Sequence, residues 1–450
     1  MLVDENINIT RMGQIHNSLV NLFNEMSSRL IERDQLIRLI GLTFFCKANC
    51  FLLGERGVGK SYAIEKLGNS IDGTSPLWQL MLKKDTKIEE VFGRTYQDEK
   101  GEWLINTKNS LLEANNIFAD EMFKAQGELL SGLLEVLVDR SYTFGDGKKR
   151  ATDILAFFGA SNEYPTERYM LPYVDRFDLW IEVKPIQSIE NRKKYYKDQY
   201  NKKPLEGKYI TRDDIELVYG TESHKIEIPD KIMDLYIEIT TSFINSQIKT
   251  SDRKYRRILR LIRTIAYLNN RTFVNYSDLF ILLYSAWQNE VEKSRVERDL
   301  LDIIFGKHES INAFVSELEN DFSNNVLNSF NSTFFKFYNY KYDFTGELQD
   351  AKYKNIIEGF EKLILNIEVI MEQIMLILNK YKFNLMVKKQ LDENIIIVNV
   401  DSNVFNDSLI NRINILEQAL TLKKNEIKEW IKLNKDLYNY KKNQKRNFEH

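Results

Sequence analysis

The chain has 450 residues, more than one ordinary hydrophobic core accommodates, so two or three domains are expected. Hydrophobic residues make up 43% and charged residues 28%, the composition of a soluble globular protein, and a formal net charge of -2 excludes a global attraction to nucleic acid or an anionic membrane. The two cysteines, Cys46 and Cys50, exclude a disulfide framework and fit a reducing cytoplasm, as two small buried thiols more simply than as a metal pair.

The N-terminus "MLVDENINIT" is neither basic nor apolar, so no signal peptide is expected, and no apolar run approaches a membrane span. Residues 12–48 read as two helices, the second carrying apolar residues at helical spacing in "LIERDQLIRLIGLTFF". "CFLLG" is a short apolar run ending in glycine, as in a strand buried on both faces, and "SYAIEKLGNSI" returns to helical spacing. "LWQLMLKK" is a second apolar stretch. Thr86 and Glu89, three apart before "EVFG", form a capping-box signature. "NNIFADE" reads as a buried strand and "GELLSGLLEVLVDR" as a helix. Gly145-Asp146-Gly147 between β-prone flanks signals a hairpin, and "DILAFFGASN" and "FDLWIEVKP" are two more strands. This alternation from about residue 49 to 185 predicts a parallel sheet covered on both faces.

From 186 to about 307 helical patterns dominate, which predicts a separate helical domain. Residues 308–450 differ again. Two long periodic helices are predicted, with "NIIIVNV" as a strand between them and "FFKFYNYKYDF" as an exposed alternating strand, together a small β element.

Gly54, Gly57, Gly59, Lys60 and Ser61 fill every fixed position of G-x-x-x-x-G-K-[ST], after a strand and before a helix. Glycines let consecutive backbone N–H groups close on phosphate oxygens, and the following helix N-terminus adds attraction. The whole loop with its flank, Gly54, Glu55, Arg56, Gly57, Val58, Gly59, Lys60, Ser61 and Tyr62, is therefore the candidate nucleotide site. Lys60 is expected on the β and γ phosphates and the Ser61 hydroxyl on Mg²⁺. "NNIFADE" supplies Asp120 at a strand tip beside that metal, and Glu121 to polarise the attacking water. Asn162 in "GASNEYP" is either a holder of the water or γ-phosphate, or an ordinary turn residue.

"FLLGERGVGKS", "EEVFG", "NNIFADE" and "GASNEYP", in this order, resemble the MoxR branch of AAA+ ATPases, and within it the RavA subgroup, over roughly residues 17–307. The resemblance implies an AAA+ P-loop α/β core at 1–190, an all-α lid at 191–307, and a long-helix stalk with a small β module at 308–450. It implies an ATP-hydrolysing, Mg²⁺-dependent, ring-shaped hexamer that remodels protein substrates with a von Willebrand factor A domain partner; no DNA-reading motif is visible, so a nucleic-acid partner is not expected. In "YVDRFDLWIEV", Arg176 is the implied arginine finger reaching a neighbouring subunit's γ-phosphate, with Arg168 and Arg140 as rivals. In "TSDRKYRRILRL", Arg253 is the implied lid residue touching phosphate, with Arg256 and Arg257 as rivals. "KIEEVFGRTYQDEKGEWLINTKNSLLEANN" is similar to the helix-2 insert of this clade. There Trp103 is either a substrate contact or folded on its own hairpin. Two other functions fit the motifs: a GTP-dependent motor of a DNA restriction system, and a nucleotide-bound scaffold of low turnover. The basic, aromatic tail from Thr421 has nine Lys and Arg against four Asp and Glu, and reads more simply as a solvated helix end than as a nucleic-acid or acidic-partner patch.

Overall fold

A parallel sheet forms where short apolar runs alternate with amphipathic helices. The computed structural model describes residues 2–97, 99, 103–125, 127–144, 147, 149–165, 170–197, 207–342, 350–400 and 407–448. The chain divides into two units: Met1–Leu300 with Val387–Val400, and Leu301–Met386 with Asp401–His450.

The first unit opens with helices α1 (Leu2–Arg29) and α2 (Asp34–Phe45). Next come β1 (Asn49–Leu53), α3 (Lys60–Asn69), β2 (Ile71–Asp72), β3 (Trp78–Met81) and α4 (Ile88–Phe92). β4 (Arg94–Gln97) and β5 (Trp103–Asn106) form an antiparallel hairpin. β6 (Asn116–Asp120) and α5 (Gly127–Asp139) follow, then the hairpin β7 (Ser141–Thr143) and β8 (Lys149–Ala151), as the glycine signal predicts. β9 (Ala156–Ser161), α6 (Leu171–Val174) and β10 (Leu179–Glu182) complete the α/β part.

The central sheet has the order β10-β1-β9-β6-β3, with every pairing parallel. β1 and β9 are buried throughout, as central strands covered on both faces must be. Phe51 packs against Trp180 with ring centroids 4.5 Å apart and against Phe177 at 5.0 Å. Gly159 is required there, because a Cβ would lie 2.8 Å from the Phe177 ring and 3.0 Å from Phe51.

The rest of the unit is helical: α7 (Ile189–Lys197), the short pair of β11 (Ile210–Thr211) with β2, α8 (Arg212–Leu217), α9 (Ser223–Lys225), α10 (Asp230–Asn245), α11 (Asp252–Leu268) and a 3₁₀ segment Tyr276–Tyr284. α11 lies against α1 and α2, so the lid packs on the helices that cover the sheet. The chain leaves this unit within α12 (Glu290–Phe305).

The second unit contains α13 (His308–Asp321), α14 (Asn328–Tyr342) and most of two long helices, α15 (Asp350–Asp392) and α16 (Asp407–Phe448). Its core runs along the hairpin through Phe330, Phe360, Ile367, Ile374, Ile413 and Leu420. The α/β core, all-α lid and helical stalk are as the sequence predicts. Three local expectations are corrected. "FFKFYNYKYDF" is helical through Tyr342, because Phe330 and Phe334, one helical turn apart, stack at 6.0 Å and Phe334 meets Trp430 at 4.7 Å. "NIIIVNV" pairs with no strand. Ile396 and Ile397 are fully buried and the backbone is satisfied by side chains instead: Gln35 Nε2 donates to the Ile396 carbonyl at 3.0 Å, Arg38 to the Ile395 carbonyl at 2.6 Å, and the Ile395 N–H to Asn269 Oδ1 at 2.8 Å. The expected β element is thus absent among the described residues of 308–450. At α4, the Thr86 hydroxyl accepts instead from the Lys83 N–H at 2.8 Å, so the helix starts one residue later, with Glu90 facing the Lys87 N–H at 3.5 Å.

Candidate functional site

The glycine loop leaves β1 at the C-terminal edge of the sheet. Its first residue is fastened to the neighbouring strand by the Gly54 N–H donating to the Ser161 carbonyl at 3.1 Å. A Cβ at Gly54 would lie 2.3 Å from the Val183 carbonyl oxygen, and Gly57 and Gly59 have φ of +80° and +91°, so all three positions need glycine. Lys60, the first residue of α3, is 7% exposed and donates to the carbonyls of Gly54 and, at 3.3 Å, Glu55. Burial lowers its pKa, and the charges of Asp120 and Glu121 oppose that shift.

Asp120 ends β6, and its Oδ1 accepts the Glu121 N–H at 3.0 Å. Glu121 stands at a left-handed φ of +52° and is only 4% exposed. Both its oxygens are occupied: Oε1 by Asn162 Nδ2 at 3.0 Å and Arg56 at 3.1 Å, Oε2 by Lys124 at 3.2 Å. The structure therefore brings together Lys60, Asp120, Glu121, Asn162 and Arg56, and follows Lys60 directly with Ser61 and the exposed Tyr62. Lys124 was not foreseen, because a lysine three residues after an acid is too common to stand out in sequence.

One hydroxyl and one carboxylate, Ser61 and Asp120, suit Mg²⁺, a hard cation that takes oxygen ligands and keeps waters and phosphates for the remaining positions. The described residues hold no group of three or more His, Cys, Asp or Glu that forms a separate metal cage.

A cavity of about 780 Å³ opens beside Glu55–Gly59 and is walled by Ile31, Tyr62, Ile186, Tyr195 and Tyr196. Its frame is built by two polar residues of the α1–α2 turn. Arg33 Nε donates to the Val58 carbonyl at 3.0 Å. Glu32 accepts from the Gln187 N–H at 2.6 Å, Asn191 Nδ2 at 2.8 Å and the Ser188 N–H at 3.0 Å, which hold its pKa low. Sequence reasoning missed this wall, since its parts are some 150 residues apart and none forms a local motif.

The arginines lie elsewhere. Arg176 sits just before β10, where the Asp178 N–H donates to the Asn49 carbonyl at the start of β1. The glycine loop leaves the other end of β1. Five residues of strand separate the two, roughly 17 Å. Arg176 NH1 pairs with Asp175 Oδ2 at 2.6 Å, and its backbone carbonyl accepts from Asn49 Nδ2 at 2.8 Å. Arg253, in the first turn of α11, is not brought to its own chain's glycine loop. That turn lies beside Arg176, because the N-cap Ser251 donates to Asp175 at 3.1 Å. Arg256 is exposed, whereas Arg257 turns inward, with NH2 on the Asp175 carbonyl at 2.7 Å and Nε 3.0 Å from Asp178 Oδ1. Arg140 also points inward: NH2 donates to the Lys47 carbonyl at 2.8 Å, NH1 is fully buried, and burial lowers its pKa to about 10. Arg168 and the Trp103 side chain lie outside the described residues. Cys46 and Cys50 are buried free thiols, and burial pushes the Cys46 thiol up to about 12.

A glycine loop between a buried inner strand and a helix, acids at the tip of a parallel strand separated from it by β9, and a helical lid are the arrangement of a P-loop nucleotide-binding fold of AAA+ type. Residues 17–204 match the family described as the MoxR domain in the MoxR-vWA-beta-propeller ternary systems, and residues 227–300 match an AAA lid domain. Residues 17–204 and 227–300 are thus similar to a MoxR-type AAA+ domain and its lid. Two uncharacterized proteins of Methanocaldococcus jannaschii are similar: MJ0812 is 28% identical over 63% of this chain and 75% of its own length, and MJ0079 is 27% identical over 65% and 76%. The chaperone MoxR1 of Mycobacterium tuberculosis is 27% identical over 30% of this chain and 34% of its own. A crystal structure from Cytophaga hutchinsonii, described as a candidate ATPase, shares the fold with a TM-score of 0.55 at 17% identity, over 67% of this chain and 97% of that one. Among the described residues no helix is long and apolar enough to cross a membrane.

Proposed function

We propose that this chain hydrolyses ATP with Mg²⁺ at the interfaces of a homo-oligomeric, hexameric ring of RavA-like type and uses the energy to remodel a protein substrate in the cytoplasm. The observation that carries the reading is the buried Glu121 carboxylate, held by Asn162 at the mouth of the glycine loop.

The loop amides and Lys60 would take the phosphates. Mg²⁺, held by Ser61 and Asp120, would neutralise charge on the β and γ oxygens. Glu121 would accept hydrogen bonds from the attacking water and polarise it, and Asn162 would keep the carboxylate, or the water, in place. The loop's Arg56 faces both Glu121 and the space where phosphate would sit. The aromatic wall beside the loop suits a nucleobase. Arg176 lies at the opposite end of the sheet from its own loop, so an action on phosphate would be on a second copy's nucleotide. Arg253, on the same side, would face that second copy as well. The family description naming a vWA component favours a von Willebrand factor A domain partner.

The test is Glu121→Gln in the full chain. The amide keeps the shape but takes no proton, so ATP should still bind and turnover should disappear. Normal turnover in that variant removes Glu121 from the chemistry, and with it the reading.

A further inference from the structure

The segment that carries Arg176 is mounted on the lid as much as on the sheet. The Asp175 carboxylate holds Arg176 NH1 through Oδ2 at 2.6 Å and receives the Ser251 hydroxyl on Oδ1 at 3.1 Å. The same Ser251 oxygen accepts the Lys254 N–H at 3.2 Å, capping α11. One atom therefore joins the first turn of the lid helix to the carboxylate that aims Arg176. Arg257, one and a half turns further along α11, clasps the segment from behind. It donates to the Asp175 carbonyl at 2.7 Å and lies 3.0 Å from Asp178. On the sheet side Asn49 holds the Arg176 carbonyl at 2.8 Å and fixes the backbone, not the guanidinium.

We propose that Asp175 and Ser251 are positioning residues that tie Arg176 to α11, so that the lid of one subunit sets the hydrolysis rate at its neighbour's nucleotide. The proposal rests on the reading of Arg176 as acting in trans. A guanidinium stabilises a phosphoryl transition state only when placed within about half an ångström of its productive position. A shift of α11 by about 1 Å breaks the 3.1 Å hydrogen bond and turns the Asp175 carboxylate, and Arg176 follows its partner. Such a misplacement costs up to about a hundredfold in rate. The lid's movement in one subunit then reaches the chemistry of the next through three side chains and a single helix cap, of which Arg176 alone would meet the neighbour's phosphate.

The experiment separates the cap from the relay. Ser251→Thr keeps both the cap and the donated hydrogen bond. Ser251→Asp keeps the cap, since aspartate is as good an N-cap as serine, but it loses the donor and places a second negative charge against Asp175. Full-length assembled protein is assayed for kcat, KM and melting temperature. Ser251→Thr should behave as the parent. Ser251→Asp should lose between about ten- and a hundredfold in kcat with KM and melting temperature unchanged. Asp175→Asn should lose a similar factor. In rings assembled from Ser251→Asp and Glu121→Gln chains together, turnover should rise above that of either alone, because the Glu121→Gln neighbour lends an intact Arg176 to a site with an intact Glu121. Unchanged kcat in Ser251→Asp, or a loss that mixing does not relieve, overturns the relay while Arg176→Ala remains inactive. A matching loss of turnover and melting temperature in both Ser251 variants makes Ser251 only a cap and also overturns it. Full activity in Arg176→Ala is the distinct outcome that sinks the trans reading itself.

Discussion

The two ends of the five-stranded sheet are built by different means. At the C-terminal end, every candidate catalytic group follows a strand directly: residues 54–62 after β1, Asp120 and Glu121 at the tip of β6, Asn162 after β9. At the N-terminal end, the groups around Arg176 come from three separated stretches: Asn49, Asp175 to Asp178, and Ser251 to Arg257. The first end is a candidate anion site made from a chain's own strand tips. The second gathers arginines beside the first turn of the lid helix, and in the function proposed above a second copy would use it. Parallel strands explain the division, since all their C-terminal tips gather at one edge and leave the other free for the lid to cover.

Breaking the first end should have the largest effect. Lys60→Ala removes the ammonium that stands under the loop, and nucleotide binding should fall below detection in a titration with a fluorescent ATP analogue. Wild-type affinity would mean that the loop is not the phosphate site. Breaking the second end should leave that affinity intact. Arg176→Ala should bind ATP normally and lose turnover by a factor on the order of 10³. Activity should return when these chains are assembled with Glu121→Gln chains, each inactive alone. Loss of ATP affinity in Arg176→Ala would contradict the separation of the two ends.

The same contrast explains what was legible in sequence. The glycine loop and the acidic strand tip could be read because each is contiguous and its spacing is fixed by backbone geometry. The mount could not. "TSDRKYRRILRL" offers four arginines, and only their remote partners tell them apart: Arg257 turns to Asp175 and Asp178, Arg260 to the Tyr219 carbonyl, while Arg253 and Arg256 stay exposed. The same holds for 387–400. An apolar run of isoleucines reads equally well as a strand or as buried connector. Only the side-chain partners supplied by Gln35, Arg38, Asn269 and Asp278, remote in sequence, decide for the connector. In α14 the alternation of aromatic and polar residues gave way to i,i+4 stacking, because Trp430 of α16 offers an aromatic partner along a helical face.

A smaller effect probes how the lid is held. Asn394 is 4% exposed. Its Oδ1 accepts from Asn269 Nδ2 and from the N–H groups of Ile396 and Ile397, and its Nδ2 donates to Ser277 at 2.8 Å. Asn394→Ala leaves several of these groups buried without a partner, which should cost roughly 2–3 kcal/mol. Chemical denaturation should show that loss, with ATP affinity at the far loop unchanged. A cost below about half a kcal/mol would mean that water or a rearranged turn replaces the amide, and that this segment does not fasten the lid.

The most local effect, confined to one side chain, is a slope in pH. Lys254, beside the Ser251 cap, is fully buried, and its Nζ has no hydrogen-bond partner. Burial lowers its pKa from 10.5 to about 8, against the attraction of Asp175, Asp178 and Glu292 and with the repulsion of Arg257. Between pH 8 and 10.5 the unfolded chain keeps a proton that the folded chain has released. Stability therefore rises with pH across that window, by at most ~1.4 kcal/mol per unit. Below pH 8 both states are protonated and the full cost of the buried charge applies. Lys254→Met keeps most of the volume and removes the charge. It should be more stable than the parent at pH 7, and the gap should close as pH approaches 10. Urea midpoints for both proteins from pH 7 to 10 would measure this. A gap that stays constant would show that the ammonium is paid for by its acidic neighbours, and that the N-terminal end of the sheet carries its cations without strain.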